Sequence, residues 1–307
     1  MKELNICKGG ICLDHSVAIL ATLRCLESAY SALFATPRMI SVESSTHLGT
    51  TEMIKTLAGK IALVTGGSRG IGRDTAVALA ERGADVVITY RSQQTAASET
   101  VSHLEDIGVR AVALPIDFDV TSDLNAFVEA LTTQLRIWDR ESFDVLVNNA
   151  GTLRLGSFDS TTEDDLDAIY RVNYKSPYFL TQKLAALLEN GGRIINLGSG
   201  TARIAFAPLV SYGPLKAALQ SLTLYLASHF GPRGITVNAV APGGLEGDFN
   251  ATLFSQMPQA RDYIASNTAV GRVGIPSDVA GVIAFLAEPG AAFISGAIVN
   301  VDGGYHL

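Results

Sequence analysis

The chain has 307 residues, 48% of them apolar and only 17% charged, enough to bury a large core and too apolar for a disordered chain. A formal net charge of -7 without a long Lys/Arg run argues against nucleic acid or an anionic membrane surface as a partner. Cys7, Cys12 and Cys25 all lie near the start, and His15, His47, His103, His229 and His306 are scattered, so neither a disulfide framework nor a metal-ligand spacing is present.

Residues 1–52 differ in character from the rest. Their most apolar stretch, SVAILATL, is too short to span a bilayer, and Asp14, Arg24 and Glu27 flank it. Glu3, Asp14 and Glu27 make this a poor signal or transit peptide. Two readings fit: a helical appendage over 16–34, or a start assigned too far upstream, since Met53 opens a natural beginning. The expectation is a dispensable extension over 1–52 and one catalytic domain over 53–307.

From Lys60 the pattern becomes regular. IALVT (61–65), DVVITY (85–90), RAVALPI (110–116), DVLVNNA (144–150), GRIINLG (192–198), GITVNAVA (234–241) and AIVNVDG near the end are short apolar runs. Such runs fit parallel strands covered on both faces. Helical segments such as RDTAVALAERG and DLNAFVEALTTQL alternate with them. The pattern predicts an α/β fold of the Rossmann type, a doubly wound, mostly parallel seven-stranded sheet with helices on both faces.

The first run leads straight into TGGSRGIG (65–72) and then a helix. Glycines there permit a tight turn and close approach of backbone to a pyrophosphate, which the helix N-terminus attracts. The spacing is not that of the common G-x-G-x-x-G fingerprint, and Arg73 and Asp74 exclude a P-loop. At the end of the second run, where a carboxylate would bind an NAD ribose, stand Tyr90, Arg91 and Ser92. Arg91, with Arg69 from the loop, suits the 2′-phosphate of NADP(H), which is expected in preference to NAD(H).

SYGPLKAAL (211–219) puts Tyr212 and Lys216 on one helical face, and Ser199 lies 13 positions upstream of Tyr212. With Ser211 as N-cap, Pro214 falls in the first turn, where it breaks no bond. A phenol near a cation is drawn toward neutral pH and can exchange a proton with a carbonyl oxygen. Ser199 is suited to stabilise that oxygen.

TGGSRGIG, NNAG (148–151), Asn173, Ser199 and Tyr212-x3-Lys216, in that order, resemble the short-chain dehydrogenase/reductase superfamily across about 54–307. The chain is most similar to its NADP-dependent members of the 3-oxoacyl-carrier-protein reductase type. The resemblance implies catalytic roles for Ser199, Tyr212, Lys216 and Asn173, the last through a water in a proton relay. It implies cofactor contacts from Gly66, Ser68, Arg69, Gly70, Ile71, Gly72, Asp117, Asn149, Ala150, Gly151, Pro242, Gly243 and Leu245. Lys216 would also meet the nicotinamide ribose. Gly247 stands where the family commonly has Thr, which puts one bond to the carboxamide in doubt. Leu245 to Thr268 would form a lid, with Leu153, Leu155, Phe206 and Leu209 as further apolar walls. A cytoplasmic homo-oligomer, tetramer or dimer, is implied as well.

The leading expectation is an NADPH-dependent reductase of a ketone, with 3-oxoacyl thioesters among the candidates. The alternatives are a dehydrogenase of a sugar, steroid or other secondary alcohol, and a non-catalytic dinucleotide sensor. Intact Ser199, Tyr212 and Lys216 argue against the sensor.

Overall fold

The computed structural model describes residues 55–120 and 123–307. The extension expected over 1–52 lies outside the described residues. The strands are β1 (Ile61–Val64), β2 (Asp85–Tyr90), β3 (Ala111–Pro115), β4 (Phe143–Asn148), β5 (Leu188–Leu197), β6 (Thr236–Pro242) and β7 (Ile298–Val301). They form one seven-stranded sheet in the order β3-β2-β1-β4-β5-β6-β7. Every pairing is parallel, as in Leu63 opposite Val87 and Leu146.

The apolar runs of the inner strands feed two cores, because successive side chains leave a strand on opposite faces, while edge strand β7 gives only Val299 and Val301 to one of them. Ala62, Val64, Val86, Ile88 and Val147 pack with Ala76 and Leu79 of α1 (Gly70–Glu81) and with Val279 and Ile283 of the last helix (Pro276–Ala287). Ile61, Leu63, Val87, Leu146 and Ile194 pack on the other face against Phe127, Leu131 and Leu135 of the helix Asp123–Ile137. In chain order the helices are α1, α2 (Gln94–Ile107), α3 (Asp123–Ile137), α4 (Glu163–Tyr170), α5 (Ser176–Leu184), α6 (Gly213–Phe230), α7 (Ala251–Gln256), α8 (Ala260–Ser266) and α9 (Pro276–Ala287).

Two strand boundaries depart from the apolar runs. β5 starts at Leu188, four residues before Gly192, because Leu188 pairs with Phe143 across a register shift that leaves Glu189, Asn190 and Gly191 exposed. β6 starts at Thr236 because a 3₁₀ turn over Gly231–Arg233 occupies the preceding residues.

The chain winds outward from β1 through β2 to β3, then returns to β4 on the other side of β1. Loops leaving the carboxyl ends of β1 and β4 therefore diverge and open a crevice, the usual binding place in doubly wound sheets.

Candidate active site

The crevice is a cavity of about 710 Å³, within the range of ligand sites. Its floor is the glycine loop. Gly66 sits at φ 65°, and its N–H donates to Thr89 Oγ1 at 3.0 Å. Asn149 Nδ2 donates to the Thr65 carbonyl at 2.7 Å and to the Gly66 carbonyl at 3.2 Å. The backbone amides of Asn149 and Ala150 both donate to Thr65 Oγ1 at 2.9 Å. Thus the turns after β1 and β4 are stapled together, and Asn149 acts through its side chain as well as its backbone.

At Gly72 a Cβ would stand 2.2 Å from the Gly66 carbonyl oxygen, so helix and loop touch as only glycine allows. α1 has no side-chain cap, which leaves its first-turn amides, those of Gly70, Ile71 and Gly72, directed at the cavity they line. This bare, positively polarised helix start fits a pyrophosphate. Ser68 lines the same wall, as do Tyr90, Arg91, Ser92 and Asp117. Arg91 is exposed there, while Arg69 Nη1 is paired with Asp248 Oδ2 at 3.2 Å.

The reacting end lies over β4, β5 and β6. Ser199 follows β5, and its Oγ stands 2.8 Å from Thr201 Oγ1. Tyr212 and Lys216 are buried, at 6% and 3% exposure, and the Lys216 Nζ lies 5.6 Å from the Tyr212 ring centroid. The same Nζ donates to the Leu197 carbonyl at 2.6 Å. α6 is capped by Tyr212 rather than Ser211, and Pro214 does fall in its first turn.

The pKa directions correct a simple picture in which the lysine draws the phenol down. Burial pushes the Tyr212 phenol above its ordinary value, and the Ser199 hydroxyl opposes this only in part. Burial also lowers Lys216 to about 8. Desolvation sets both directions, since both groups are enclosed and the ammonium is aimed at the Leu197 carbonyl.

Asn173 sits in a π turn, Arg171–Lys175, joining α4 to α5. Its Nδ2 donates to the Thr152 carbonyl at 2.9 Å and to the Ile169 carbonyl at 3.1 Å. It therefore ties the loop after β4 to the helix beside Tyr212, and Gly151 lies against its Oδ1.

Pro242, Gly243 and Leu245 line the cavity after β6. Gly247 adopts φ 121°, a region that strains a threonine, so a Thr side chain does not fit this backbone. The expected lid is built from α7 and α8: Leu253, Phe254 and Ala260 are buried against Phe206, Leu155, Met257 and Ile264. The Phe249 ring approaches that of Tyr212 to 6.1 Å. Leu153, Phe206 and Leu209 line the cavity, whereas Leu155 packs behind it.

Thr65, Thr89, Thr201, Tyr263, Tyr305 and His306 were not legible as site residues. The threonines offered one signal, a polar residue at the end of an apolar run or close to Ser199. The last three are brought in by tertiary folding alone. Among the described residues no cluster of His, Cys, Asp or Glu could hold a metal ion, and no helix is long and apolar enough to cross a membrane.

Residues 66–306 match a family described as enoyl-(acyl carrier protein) reductase. A hydroxynaphthalene reductase-like protein of Metarhizium guizhouense is 36% identical over 82% of this chain and 97% of its own length. A versicolorin reductase of Emericella nidulans is 36% identical over 81% of this chain and 96% of its own. The crystal structure of an angucycline C-6 ketoreductase with bound NADP superposes with a TM-score of 0.78 at 38% identity, covering 82% of this chain and 97% of that one. Taken with the sheet order, the glycine loop and the buried Tyr-Lys pair, these matches establish that the chain belongs to the short-chain dehydrogenase/reductase superfamily of oxidoreductases.

Proposed function

We propose that this protein is an NADPH-dependent carbonyl reductase that converts a ketone on an aromatic ring system to a secondary alcohol. The observation that carries the reading is the buried Tyr212-Lys216 pair beside Ser199, at the wall of a largely apolar cavity. The names of the relatives, a hydroxynaphthalene reductase-like protein, a versicolorin reductase and an angucycline C-6 ketoreductase, support an aromatic ketone over a 3-oxoacyl thioester.

Arg69 and Arg91 would hold the 2′-phosphate, the first-turn amides of α1 the pyrophosphate, and Asp117 the adenine. Hydride is what the bound nicotinamide supplies. The rest falls to side chains of this chain. Ser199 donates a hydrogen bond to the carbonyl oxygen, and Tyr212 gives that oxygen its proton. The phenol, raised by burial, is protonated at neutral pH and so carries the proton that reduction consumes. Lys216 replaces part of the solvent lost to burial and stabilises the phenolate left behind. Asn173 fixes the Thr152 loop that borders the same space, and a water held there would return the proton.

We place the functional unit in 53–307 and treat 1–52 as dispensable. A cytoplasmic homo-oligomer, tetramer or dimer, completes the proposal. A partly exposed aromatic ladder supports the assembly: Tyr170 stacks on half-buried Tyr174 at 5.9 Å, Tyr174 meets Tyr178 at 6.4 Å, and Tyr225 on α6 is 74% exposed.

The test is NADPH consumption across aromatic ketones, 3-oxoacyl thioesters and sugars. Tyr212→Phe should lower turnover by about a hundredfold to ten-thousandfold, the range of a lost general acid, with NADPH affinity retained. Turnover unaffected by Tyr212→Phe would overturn the assignment.

A further inference from the structure

The carbonyl chemistry leaves three polar aromatic groups of the cavity unused. Tyr263 lies on the lid helix α8, and Tyr305 and His306 lie in the C-terminal tail; all three line the cavity. After β7 the tail reverses at Gly303 and Gly304 and is laced to the segment following α8. Thr268 bridges Tyr305, Ala269 N–H donates to the Gly304 carbonyl at 3.2 Å, and His306 N–H donates to the Asn267 carbonyl at 3.0 Å.

These bonds bring the three rings together. Tyr305 meets His306 edge to face at 4.3 Å, and Tyr263 lies 6.3 Å from His306. Burial holds the Tyr305 phenol above its usual range, and the neighbouring Tyr263 adds to that. His306 holds this place at φ 52°, a left-handed conformation that His, Asn and Asp adopt more readily than other non-glycine residues.

We propose that Tyr263, Tyr305 and His306 form a specificity-determining subsite that binds a phenolic hydroxyl of the substrate, remote from the carbonyl being reduced. Position supports this. The 2′-phosphate and adenosine residues lie over β1 to β3, whereas Ile264, next to Tyr263, covers Gly244 just after β6, on the other half of the sheet. The cluster therefore borders the substrate half. Chemistry supports it too, since phenol and imidazole each donate and accept, which matches a neutral hydroxyl. Nearby charges are committed to one another, Arg261 to Glu246 at 2.8 Å and Arg203 to Asp302 at 3.2 Å, and offer no clamp for an anionic substrate.

The inference rests on the reading of the cavity as a ketone site. The experiment uses the full chain saturated with NADP+ for binding and NADPH for turnover. The probes are α-tetralone and a phenolic tetralone. Wild-type protein should bind the phenolic ketone more tightly. Tyr263→Phe and Tyr305→Phe keep the rings and remove only hydroxyls, and His306→Asn keeps a residue tolerant of positive φ. Each should raise KM and Kd for the phenolic probe by about three- to tenfold, with kcat and both constants for α-tetralone unchanged.

A tail that merely clasps the lid would shift both probes equally, and that result, or no shift at all, overturns the subsite. Binding discrimination without turnover would leave the subsite standing and remove the reductase reading. Turnover without discrimination would do the reverse.

Discussion

Replacing Gly72 by alanine adds one methyl group at the tightest contact of the phosphate loop. The new Cβ would sit 2.2 Å from the Gly66 carbonyl oxygen and 2.5 Å from Asn149 Nδ2. Cβ atoms essentially never come closer than 3.0 Å, so helix start and loop must part by about 0.8 Å. Neither side yields easily, since Asn149 holds the Gly66 and Thr65 carbonyls and Thr89 holds the Gly66 amide. Overpacking of this kind costs about 1–3 kcal/mol of stability. Displacing the amides of Gly70 to Gly72 would also weaken their bonds to a pyrophosphate, and one charge-assisted bond is worth about 1.5–3 kcal/mol. NADPH affinity should therefore fall by roughly tenfold to a hundredfold. The assay is titration of NADPH fluorescence, with thermal unfolding alongside to separate the two losses. A folded Gly72→Ala protein with unaltered NADPH affinity would refute the reasoning, because this contact would then play no part in shaping the loop.

Removing Arg91 or Arg69 (R91A, R69A) should raise KM for NADPH about tenfold or more and leave KM for NADH within about twofold, as expected for groups that meet only the 2′-phosphate. Asp248→Ala, which frees Arg69 from an exposed ion pair, should change stability by less than about 1 kcal/mol. Gly247→Thr should lower the melting temperature without improving NADPH affinity, since φ 121° costs a threonine about 1–3 kcal/mol. Lys216 titrates at about 8 when folded against 10.5 ordinarily, so the unfolded chain binds more protons between those values and stability rises with pH there. Urea denaturation between about pH 7 and 9.5 should show a gain of about 2 kcal/mol that Lys216→Met lacks. A parallel pH dependence in both proteins would count against the burial of a charged ammonium.

How much was legible beforehand differs by element. The five inner strands are readable from their apolar runs, because a strand covered on both faces needs apolar side chains at every position; edge strands β3 and β7 are only partly covered. Tyr212 and Lys216 could be paired from spacing, since helical geometry is local. Strand boundaries were less legible: β5 was extended by a partner, Phe143, that lies 45 positions before its first residue, Leu188. The phenol's proton affinity is not fixed by spacing. Four residues on a helix say that a cation is close, but not that both groups are out of water or that the ammonium is turned to the Leu197 carbonyl.

By itself, then, the chain's residue order determined the fold class, the phosphate loop and the Ser-Tyr-Lys set, all consequences of local periodicity and short-range motif. Only tertiary structure decided which loops meet: Asn149 against the glycine turn, Asn173 under the Thr152 loop, and the C-terminal tail against the lid. Those contacts join residues far apart in the chain, and no local pattern announces them. They are settled by where seven parallel strands leave their carboxyl ends.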